Sequence, residues 1–252
     1  MLYKVGSRYT SRKKSHGLTK HAMRTRISVV VPARNEEELL PDCLSSLSGQ
    51  VLETFEIVVV DSASTDRTGD IARSFGARVI QLEQPGVARA RQAGFEAAHG
   101  DIIVSTDADA VCSPNWLQQI TAPFSDSDVT AAFGTIELDG NSIWKRIGRT
   151  LYPWFQAVNM KIGHPLFCGP NFAVTKKAFT QVDGFRINGR YPGEAEDVLF
   201  AHKLAGIGRR IVFLPDSKVT VSSRRLEKGQ GLRYTSHHLG VYLSVCWLAK
   251  SR

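Results

Sequence analysis

Two aspartates stand two residues apart directly after an apolar run of the chain. Asp107 and Asp109 follow residues 102–106, Ile-Ile-Val-Ser-Thr, which are typical of a buried strand. Ligands collect at the carboxyl ends of strands in an open α/β sheet, and Mg²⁺ or Mn²⁺ takes oxygen ligands from a few carboxylates while leaving room for substrate phosphates. The pair therefore indicates a nucleotide-dependent transferase, although by itself it is equally typical of a turn or a helix cap.

Polar segments also follow the first two predicted strands. Residues 32–36, Pro-Ala-Arg-Asn-Glu, leave the first strand, and residues 61–66 leave the second. At adjacent strand ends, Glu36 and Asp61 can hold a base and a ribose, and Arg34 can approach a phosphate. Residues 65–66, Thr-Asp, are more simply interpreted as the cap of the following helix.

Two further segments carry residues suited to chemistry. Residues 86–94 are rich in small side chains, which let a backbone or a ligand come close to Gly86, and Arg91 among them can meet a phosphate. Glu196 and Asp197 precede a helical pattern, where acids favour the helix dipole. Asp197 is also a plausible base for an attacking hydroxyl. The two interpretations of this acidic pair are compatible.

The elements that must position these residues alternate between strands and helices. Apolar runs rich in β-branched residues predict strands at 27–31, 56–60, 77–80 and 101–104, with helices between them. This order predicts right-handed βαβ units and a mainly parallel sheet. After about residue 110, prolines interrupt shorter elements. We therefore expect a nucleotide-binding half at 27–110 and an irregular half at 111–225 that shapes the second substrate's pocket.

Charge is distributed unevenly along the 252 residues. Residues 1–26 hold eight Lys or Arg and no acid, and the remaining 24 basic and 24 acidic residues cancel. A neutral body argues against a nucleic-acid groove. The basic tail at 1–26 is either an unstructured arm, which anionic lipid can attract, or an extension ahead of a start at Met23.

The cysteine spacing and the hydropathy pattern bear on the compartment. The four cysteines lack any Cys-x-x-Cys spacing, so neither a zinc site nor a disulfide framework is indicated and a cytoplasmic location fits best. The apolar stretch at 239–249 is shorter than the ~20 residues that cross a bilayer. We expect 226–252 to form a helix that packs on the domain or a second chain, with contact to the inner face of the membrane as a minor hypothesis.

Taken in order, these segments resemble family 2 glycosyltransferases of the GT-A fold. The resemblance rests on 27–36, 58–66, 86–94 and the Asp-x-Asp motif at 107–109, and it continues through 169–174, 184–185 and 196–197. It implies a Rossmann-like, mainly parallel central sheet flanked by helices. It also implies an enzyme that inverts the anomeric centre of a sugar taken from a nucleotide-sugar donor.

The resemblance assigns roles to particular residues. It implies that Glu36 and Asp61 contact the base, that Asp107 lies near the ribose, that Asp109 ligates the metal, and that the acceptor base falls on Asp197. Beside Asp197 we place Glu196 in the catalytic pair, and we include Asp107 as a second ligand of Mg²⁺ or Mn²⁺. The remaining donor-binding candidates are Pro32, Arg34, Ser62, Gly86, Arg91, Arg224 and Arg225.

Some positions depart from the family pattern. Residues 222–229 lack the tryptophan of an arginine-tryptophan motif, which puts processive synthesis in doubt. Arg224 and Arg225 either close over the pyrophosphate as a flap or belong to a solvated loop. Gln92 stands where asparagine is common, and Asp183 stands where glycine is common. Three aromatic residues, Trp144, Trp154 and Phe155, either line an acceptor pocket or pack a helix.

We therefore expect a metal-dependent transfer of one sugar from a UDP- or GDP-sugar to a hydroxyl of a glycan, lipid or small molecule. One alternative is a sugar-phosphate nucleotidyltransferase, which normally needs a glycine-rich loop that residues 32–36 do not provide. Another is a catalytically silent module that binds a nucleotide-sugar or lipid. The oligomeric state stays open.

Overall fold

The computed structural model describes residues 25–140, 143–186 and 196–224. The tail at 1–24, Arg225 and the helix expected at 226–252 lie outside the described residues. The elements in chain order are β1 (Ile27–Ala33), α1 (Leu40–Ser48), β2 (Glu56–Ser62), α2 (Thr68–Ser74), β3 (Arg78–Leu82), α3 (Val87–Ala97), β4 (Ile102–Ser105), β5 (Ala110–Cys112), α4 (Trp116–Thr121), β6 (Val129–Leu138), α5 (Ile143–Lys161), β7 (Phe172–Thr175), α6 (Lys176–Gln181), α7 (Glu196–Gly206) and β8 (Arg210–Val221).

The described strands form one sheet in the order β3-β2-β1-β4-β7-β6-β8-β5. The first four are mutually parallel, which agrees with the βαβ prediction for the first half. β7 runs antiparallel to both β4 and β6, and β5 runs antiparallel to β8. Because β2 and β4 flank β1 on opposite sides, the strand order reverses at the β1–β4 crevice, where ligands of open α/β sheets bind.

Both faces of the central strands are buried. Val29 and Val31 of β1 belong to one hydrophobic cluster, which includes residues of α1 and α4. Val30 points the other way, into a cluster that contains seven buried phenylalanines: Phe95, Phe133, Phe167, Phe172, Phe179, Phe185 and Phe200. Because side chains alternate along a strand, the continuous valine run of β1 supplies both cores.

Helix α3 lies unusually close to the sheet. A Cβ at Gly94 would sit 2.4 Å from Val30 Cγ1 and 2.9 Å from Val60 Cγ2. Among the small residues at 86–94, Gly94 therefore serves close packing of the helix backbone on the sheet. The close approach fixes the position of α3, and with it the position of Arg91, relative to the ends of β1 and β2.

Candidate active site

The loops after β1 and β2 are bound to each other. Asn35 adopts a left-handed backbone conformation with φ 52°. Its N–H donates to Ser64 Oγ at 3.0 Å, and its Oδ1 accepts from the Thr65 N–H at 2.9 Å. The Glu36 N–H donates to Thr68 Oγ1 at 2.8 Å. This pairing brings the carboxyl ends of the two strands together and holds Glu36 in a buried position.

Asp61 and Ser62 end β2 with their side chains tied to neighbouring segments. Asp61 is 2% exposed, and its Oδ1 accepts from the Ser64 N–H at 3.0 Å. Ser62 Oγ accepts from the Gly86 N–H at 3.0 Å, which joins β2 to the start of α3. Pro32 is buried within β1, whereas Arg34 is exposed at the rim of the loop.

Asp66 serves as a capping residue. Its Oδ1 accepts from the N–H of Thr68, the first residue of α2, at 3.0 Å, and its Oδ2 accepts from the Glu37 N–H at 3.1 Å. Asp66 thus satisfies the first N–H of α2 from one residue before the N-cap position, which is Arg67. The Thr65 N–H instead bonds Asn35, so residue 65 joins the two loops.

The two aspartates that follow β4 lie in a tight turn, and both are half-buried. The backbone oxygen of Asp107 accepts from the Ala110 N–H at 3.1 Å and from the Cys43 thiol at 3.3 Å. Burial raises the pKa of the Cys43 thiol well above its ordinary value, so the thiol stays a neutral donor. The backbone oxygen of Asp109 accepts from the Ser222 N–H at 3.1 Å, which connects the turn to the residues that follow β8.

Arg91 is buried at the centre of the site and is 2% exposed. Its Nε donates to Ser105 Oγ at 3.1 Å, its Nη2 to Asp107 Oδ1 at 2.5 Å, and its Nη1 to the Glu196 carboxylate. Although burial alone lowers it, the carboxylates of Asp107 and Glu196 raise the pKa of Arg91. A Cβ at Gly169 would lie 2.4 Å from Nη2, so glycine is needed there.

This placement of Arg91 differs from the expectation that it meets a phosphate. The residue lies on the face of α3 that packs against the sheet, so its guanidinium donates to side chains of the protein. Sequence alone does not determine which face of a helix is covered when the helix carries several arginines and alanines. The structure therefore makes Arg91 a link between two acidic groups.

Glu196 and Asp197 begin α7 beside this arginine. Asp197 Oδ1 accepts from the Val198 N–H at 2.8 Å, and its carboxylate also accepts from the Gly169 backbone. Burial raises the pKa of Asp197 against the charge of Arg91, and burial likewise raises the pKa of Glu196 to about 7. One cation facing three carboxylates cannot compensate all of them, so one proton is easily retained by this group.

Arg224 reaches the donor side of the site from the end of β8. Its Nη2 donates to the Glu36 carboxylate, and its side chain is 34% exposed. The preceding residue, Ser223, donates its N–H to Asp139 Oδ1 at 2.8 Å and accepts from Lys145 Nζ at 2.6 Å. Arg224 is therefore fixed against the first strand's loop, and a flap that includes Arg225 falls outside the described residues.

A divalent ion has two candidate carboxylates here. Within the ranges that the structure describes, no three His, Cys, Asp or Glu side chains are grouped as a metal site. Asp107 and Asp109 lie in one turn, and one oxygen of Asp107 is occupied by Arg91. Mg²⁺ and Mn²⁺ often take only one or two protein carboxylates and complete their shell with phosphate oxygens and water. The residues present therefore fit an ion that binds together with a diphosphate.

Asn171 holds the rear half of the site together, a role that the sequence did not reveal. Its Nδ2 donates to Thr135 O at 2.7 Å and to Ser217 O at 2.9 Å, and its Oδ1 accepts from Trp116 Nε1 at 2.9 Å. The position of Asn171 directly before the apolar strand β7 could have indicated this role. An asparagine that is buried beside such a strand must find several hydrogen-bond partners. Those partners lie 36 to 55 residues away in sequence.

The two departures at 92 and 183 are accommodated structurally. Gln92 Oε1 accepts from the Phe185 N–H at 2.8 Å, and its Nε2 donates to Glu96 Oε1 at 2.8 Å. Asp183 has φ 55°, a left-handed conformation that glycine adopts at lower cost. Gly184 follows with a Cβ position only 2.3 Å from Gln92 Oε1. The turn is therefore packed against Gln92.

The fold and the acidic crevice define a GT-A glycosyltransferase architecture, and comparison with known proteins agrees. The model of glycosyl transferase family 2 matches residues 28–183. The chain belongs to this family, and the family resemblance inferred from the ordered motifs is confirmed.

Individual relatives are similar over most of this chain. Glycosyltransferase GlyG of Streptococcus pneumoniae is 27% identical over 76% of this chain and 68% of its own length. Glycosyltransferase AglE of Haloferax volcanii is 29% identical, with 75% and 64% covered. The solved mannosyltransferase PcManGT from Pyrobaculum calidifontis, in complex with GDP-Man and Mn²⁺, is 27% identical with a TM-score of 0.64 over 79% of this chain and 57% of that chain. The chain thus spans about two thirds or less of these proteins.

Proposed function

We propose that this protein transfers a single sugar from a UDP- or GDP-sugar to a hydroxyl of a glycan, lipid or small molecule, with inversion and with Mg²⁺ or Mn²⁺. The observation that carries the proposal is the buried Arg91, whose guanidinium joins Asp107 on the donor side to Glu196 beside the candidate base. The binding of GDP-Man and Mn²⁺ by the similar mannosyltransferase supports the donor class and the metal.

On the donor side, the proposed roles follow the crevice between β1 and β4. Glu36 and Asp61 hold the base, and Asp107 lies near the ribose. Pro32, Ser62 and Gly86 form the surrounding wall, while Arg34, Arg224 and Arg225 supply positive charge toward the pyrophosphate. Asp109, with Asp107, holds the metal ion, which when bound stabilises the charge on the leaving diphosphate.

On the acceptor side, Asp197 takes the proton from the attacking hydroxyl. Its raised pKa makes it a stronger base than an ordinary aspartate, and its hydrogen bonds to the backbone of Val198 and Gly169 fix its direction. Arg91 is a positioning residue, since it acts through Glu196 and Asp107. Direct attack of the hydroxyl on the face opposite the leaving diphosphate inverts the anomeric centre.

A thermal-shift panel tests the donor half of this proposal. UDP, GDP, CDP and dTDP are each added with and without Mn²⁺ to the wild type, Asp109→Asn and the control Asp128→Asn. Saturation at about 100 Kd stabilises the folded state by about 2.7 kcal/mol, or roughly 5–10 °C for a chain of this size. We expect one or two diphosphates to give this shift only with Mn²⁺, and Asp109→Asn to lose it.

Asp128 is a suitable control because it is exposed and lies just before β6. Since β6 runs in the same direction as β4, its first residue lies at the end of the strands opposite the crevice. Absence of a shift with every nucleotide and metal pair would overturn the proposal. An equal shift in Asp109→Asn would refute the metal assignment alone.

Turnover tests the acceptor half. The purified protein should slowly hydrolyse its donor sugar nucleotide in a metal-dependent manner, with water replacing the acceptor. Asp197→Asn should lower that rate by about 10²–10⁴-fold while it retains the nucleotide-dependent thermal shift. Detection of the β- or α-anomer released, by NMR, reports inversion. Full turnover in Asp197→Asn would show that another group is the base, and complete lack of hydrolysis in the wild type would favour a silent binding module.

A further inference from the structure

Helix α5 carries an apolar stripe that faces away from the body of the protein. Ile147, Leu151 and Trp154 are 40%, 57% and 65% exposed. Their spacing of four and three residues places them on one side of the helix. Ile162, directly after the helix, is 62% exposed. The sequence suggested that Trp144, Trp154 and Phe155 line an acceptor pocket or pack a helix. The Trp144 side chain lies outside what the structure describes, whereas Trp154 is exposed and Phe155 is half-buried.

The opposite side of α5 is the one that packs on the domain. Gln156 and Asn159 are buried, and Gln156 Nε2 donates to Gly134 O at 3.2 Å and to Leu166 O at 3.0 Å. The Tyr152 hydroxyl lies 2.8 Å from Cys168 Sγ. The helix is therefore already anchored through one face, and the exposed stripe does not contribute to that anchoring.

The charge of α5 is of one sign. The helix contains Lys145, Arg146, Arg149 and Lys161 and no acidic residue. Lys145 and Arg149 turn toward the body, where they meet Asp139, Glu137 and the Gly140 carbonyl. Arg146 and Lys161 are exposed, one directly before Ile147 and the other seven residues after Trp154. An apolar stripe with tryptophan, flanked by cations, is typical of helices that lie in the interface of anionic membranes.

We propose that α5 docks on an anionic lipid surface through Ile147, Leu151 and Trp154, with Arg146 and Lys161 contacting lipid headgroups. The helix lies in the plane of the interface. In the part of the chain that the structure describes, no helix is long and apolar enough to cross a membrane. This surface is distinct from the two segments on which the sequence suggested lipid contact, the tail at 1–26 and the segment at 226–252.

Charge also disfavours two other occupants of the stripe. A second copy of the chain, packed with its own α5 on this one, would bring the same exposed cations together. Residues 225–252 hold five Lys or Arg against one Glu, so this segment would likewise place positive charge on positive charge. An anionic surface complements both the apolar stripe and its flanking cations.

Co-sedimentation with vesicles tests the proposal on the full chain. Vesicles of phosphatidylcholine alone are compared with vesicles containing 30% phosphatidylglycerol. The wild type should bind the anionic vesicles and lose binding at high salt. The variant Leu151→Ser with Trp154→Ser should weaken binding by about tenfold or more, because two large apolar side chains no longer enter the interface. Arg146→Glu with Lys161→Glu should weaken binding to anionic vesicles to a similar extent.

Val51→Ser is the matched control, since Val51 is 62% exposed and does not belong to α5. It should bind as the wild type does. Tryptophan fluorescence adds a local measurement at Trp154. The emission of the wild type should shift to shorter wavelength when anionic vesicles are added. The Trp154→Phe variant should lose this shift but should still sediment with the vesicles.

Three outcomes would overturn the proposal. The first is that the Leu151→Ser/Trp154→Ser variant binds anionic vesicles as tightly as the wild type does. Lipid contact would then lie elsewhere, for example on the basic tail. The second is a lack of vesicle binding by the wild type. If Leu151→Ser/Trp154→Ser then also showed a large fall in Tm, a segment of the chain would cover the stripe. The third is a dimer in light scattering that the variant abolishes. None of these measurements depends on transferase activity.

Discussion

In this site one buried arginine, Arg91, compensates part of the negative charge of a cluster of three carboxylates. Arg91 donates to Asp107 and Glu196, and Asp197 lies close enough to influence its pKa. Breaking a buried ion pair from one side costs much more than the net value of the pair, because the remaining charges lose their compensation without regaining water. Arg91 should therefore matter to folding as well as to the geometry of the acids.

Replacement of the arginine tests this view. We expect Arg91→Met to lower the free energy of unfolding by about 3–5 kcal/mol at pH 7, and the added change Glu196→Gln to restore part of the loss. Urea unfolding gives both values. The control Arg73→Met removes an exposed pair with Asp70 and should change stability by less than about 1 kcal/mol. Equal effects of Arg91→Met and Arg73→Met would contradict the buried-pair interpretation.

The raised pKa of Glu196 predicts a pH dependence of stability. The ordinary pKa is 4.5 and the folded value is about 7, so between these values the folded state binds more protons than the unfolded state. The stabilisation from this carboxyl is complete below pH 4.5 and is lost as the pH rises through about 7. Relative to Glu196→Gln, the wild type should lose up to about 3 kcal/mol across this range. A pH-independent difference in urea unfolding would contradict the assignment.

At the scale of elements, the second half of the sheet is joined by one asparagine. Asn171 connects Trp116 of α4 to Thr135 of β6 and Ser217 of β8. A Cβ at Gly134 would lie 2.2 Å from Ser217 O and 2.4 Å from Asn171 Nδ2. The junction therefore requires glycine for space, and it holds β7 and the Gly169 backbone in front of Arg91 and Asp197.

Two glycine substitutions distinguish this crowding from ordinary helix propensity. Gly134→Ala should lower the free energy of unfolding by about 2–3 kcal/mol or more, because both neighbours are backbone or tightly bonded groups. Gly148→Ala in α5, where no heavy atom lies within 4 Å of the Cβ position, should raise it by roughly 0.5–1 kcal/mol. Thermal and urea unfolding measure both. A harmless Gly134→Ala would show that β6 and β8 can move apart there.

At the scale of the whole molecule, residues from both halves of the chain form the candidate donor site. Arg224 and Glu36 contact each other although they are 188 residues apart, and the Ser222 N–H bonds the backbone oxygen of Asp109. The crevice is thus closed on one side by residues of the first strand's loop and on the other by the end of the last described strand. Substrate binding at this crevice should depend on both.

This arrangement predicts a separation of binding from stability at Arg224. Arg224→Met should raise the KM for the donor by about tenfold, since a cation near the diphosphate is removed. It should lower Tm by less than Arg91→Met does, since the Arg224 side chain is 34% exposed whereas that of Arg91 is 2% exposed. Arg210→Met, which removes an exposed pair with Asp126, is the control and should change neither value. A lower KM in Arg224→Met would instead mean that Arg224 competes with the donor for Glu36.

Local patterns were sufficient for the first half of the fold. The β-branched runs at 27–31, 56–60, 77–80 and 101–104 became β1 to β4, each of which overlaps its predicted range. Pro41 lies in the first turn of α1, and Gly49 follows its end. These features depend on side-chain branching, on proline and glycine backbone preferences and on alternation, all of which act over a few residues.

The sequence by itself determined the positions of the first four strands to within about two residues, the order of the acidic motifs and the family, because each is encoded within short segments. Only the tertiary structure decided what Asp107-Ala108-Asp109 faces. It placed Arg91 of α3 and Glu196 of α7, 105 residues apart, in one buried ion pair beside Asp107. It also left Leu151 and Trp154 of α5 in solvent. Which face of a helix is buried depends on packing between distant elements, and the charge that surrounds a carboxylate depends on the same packing.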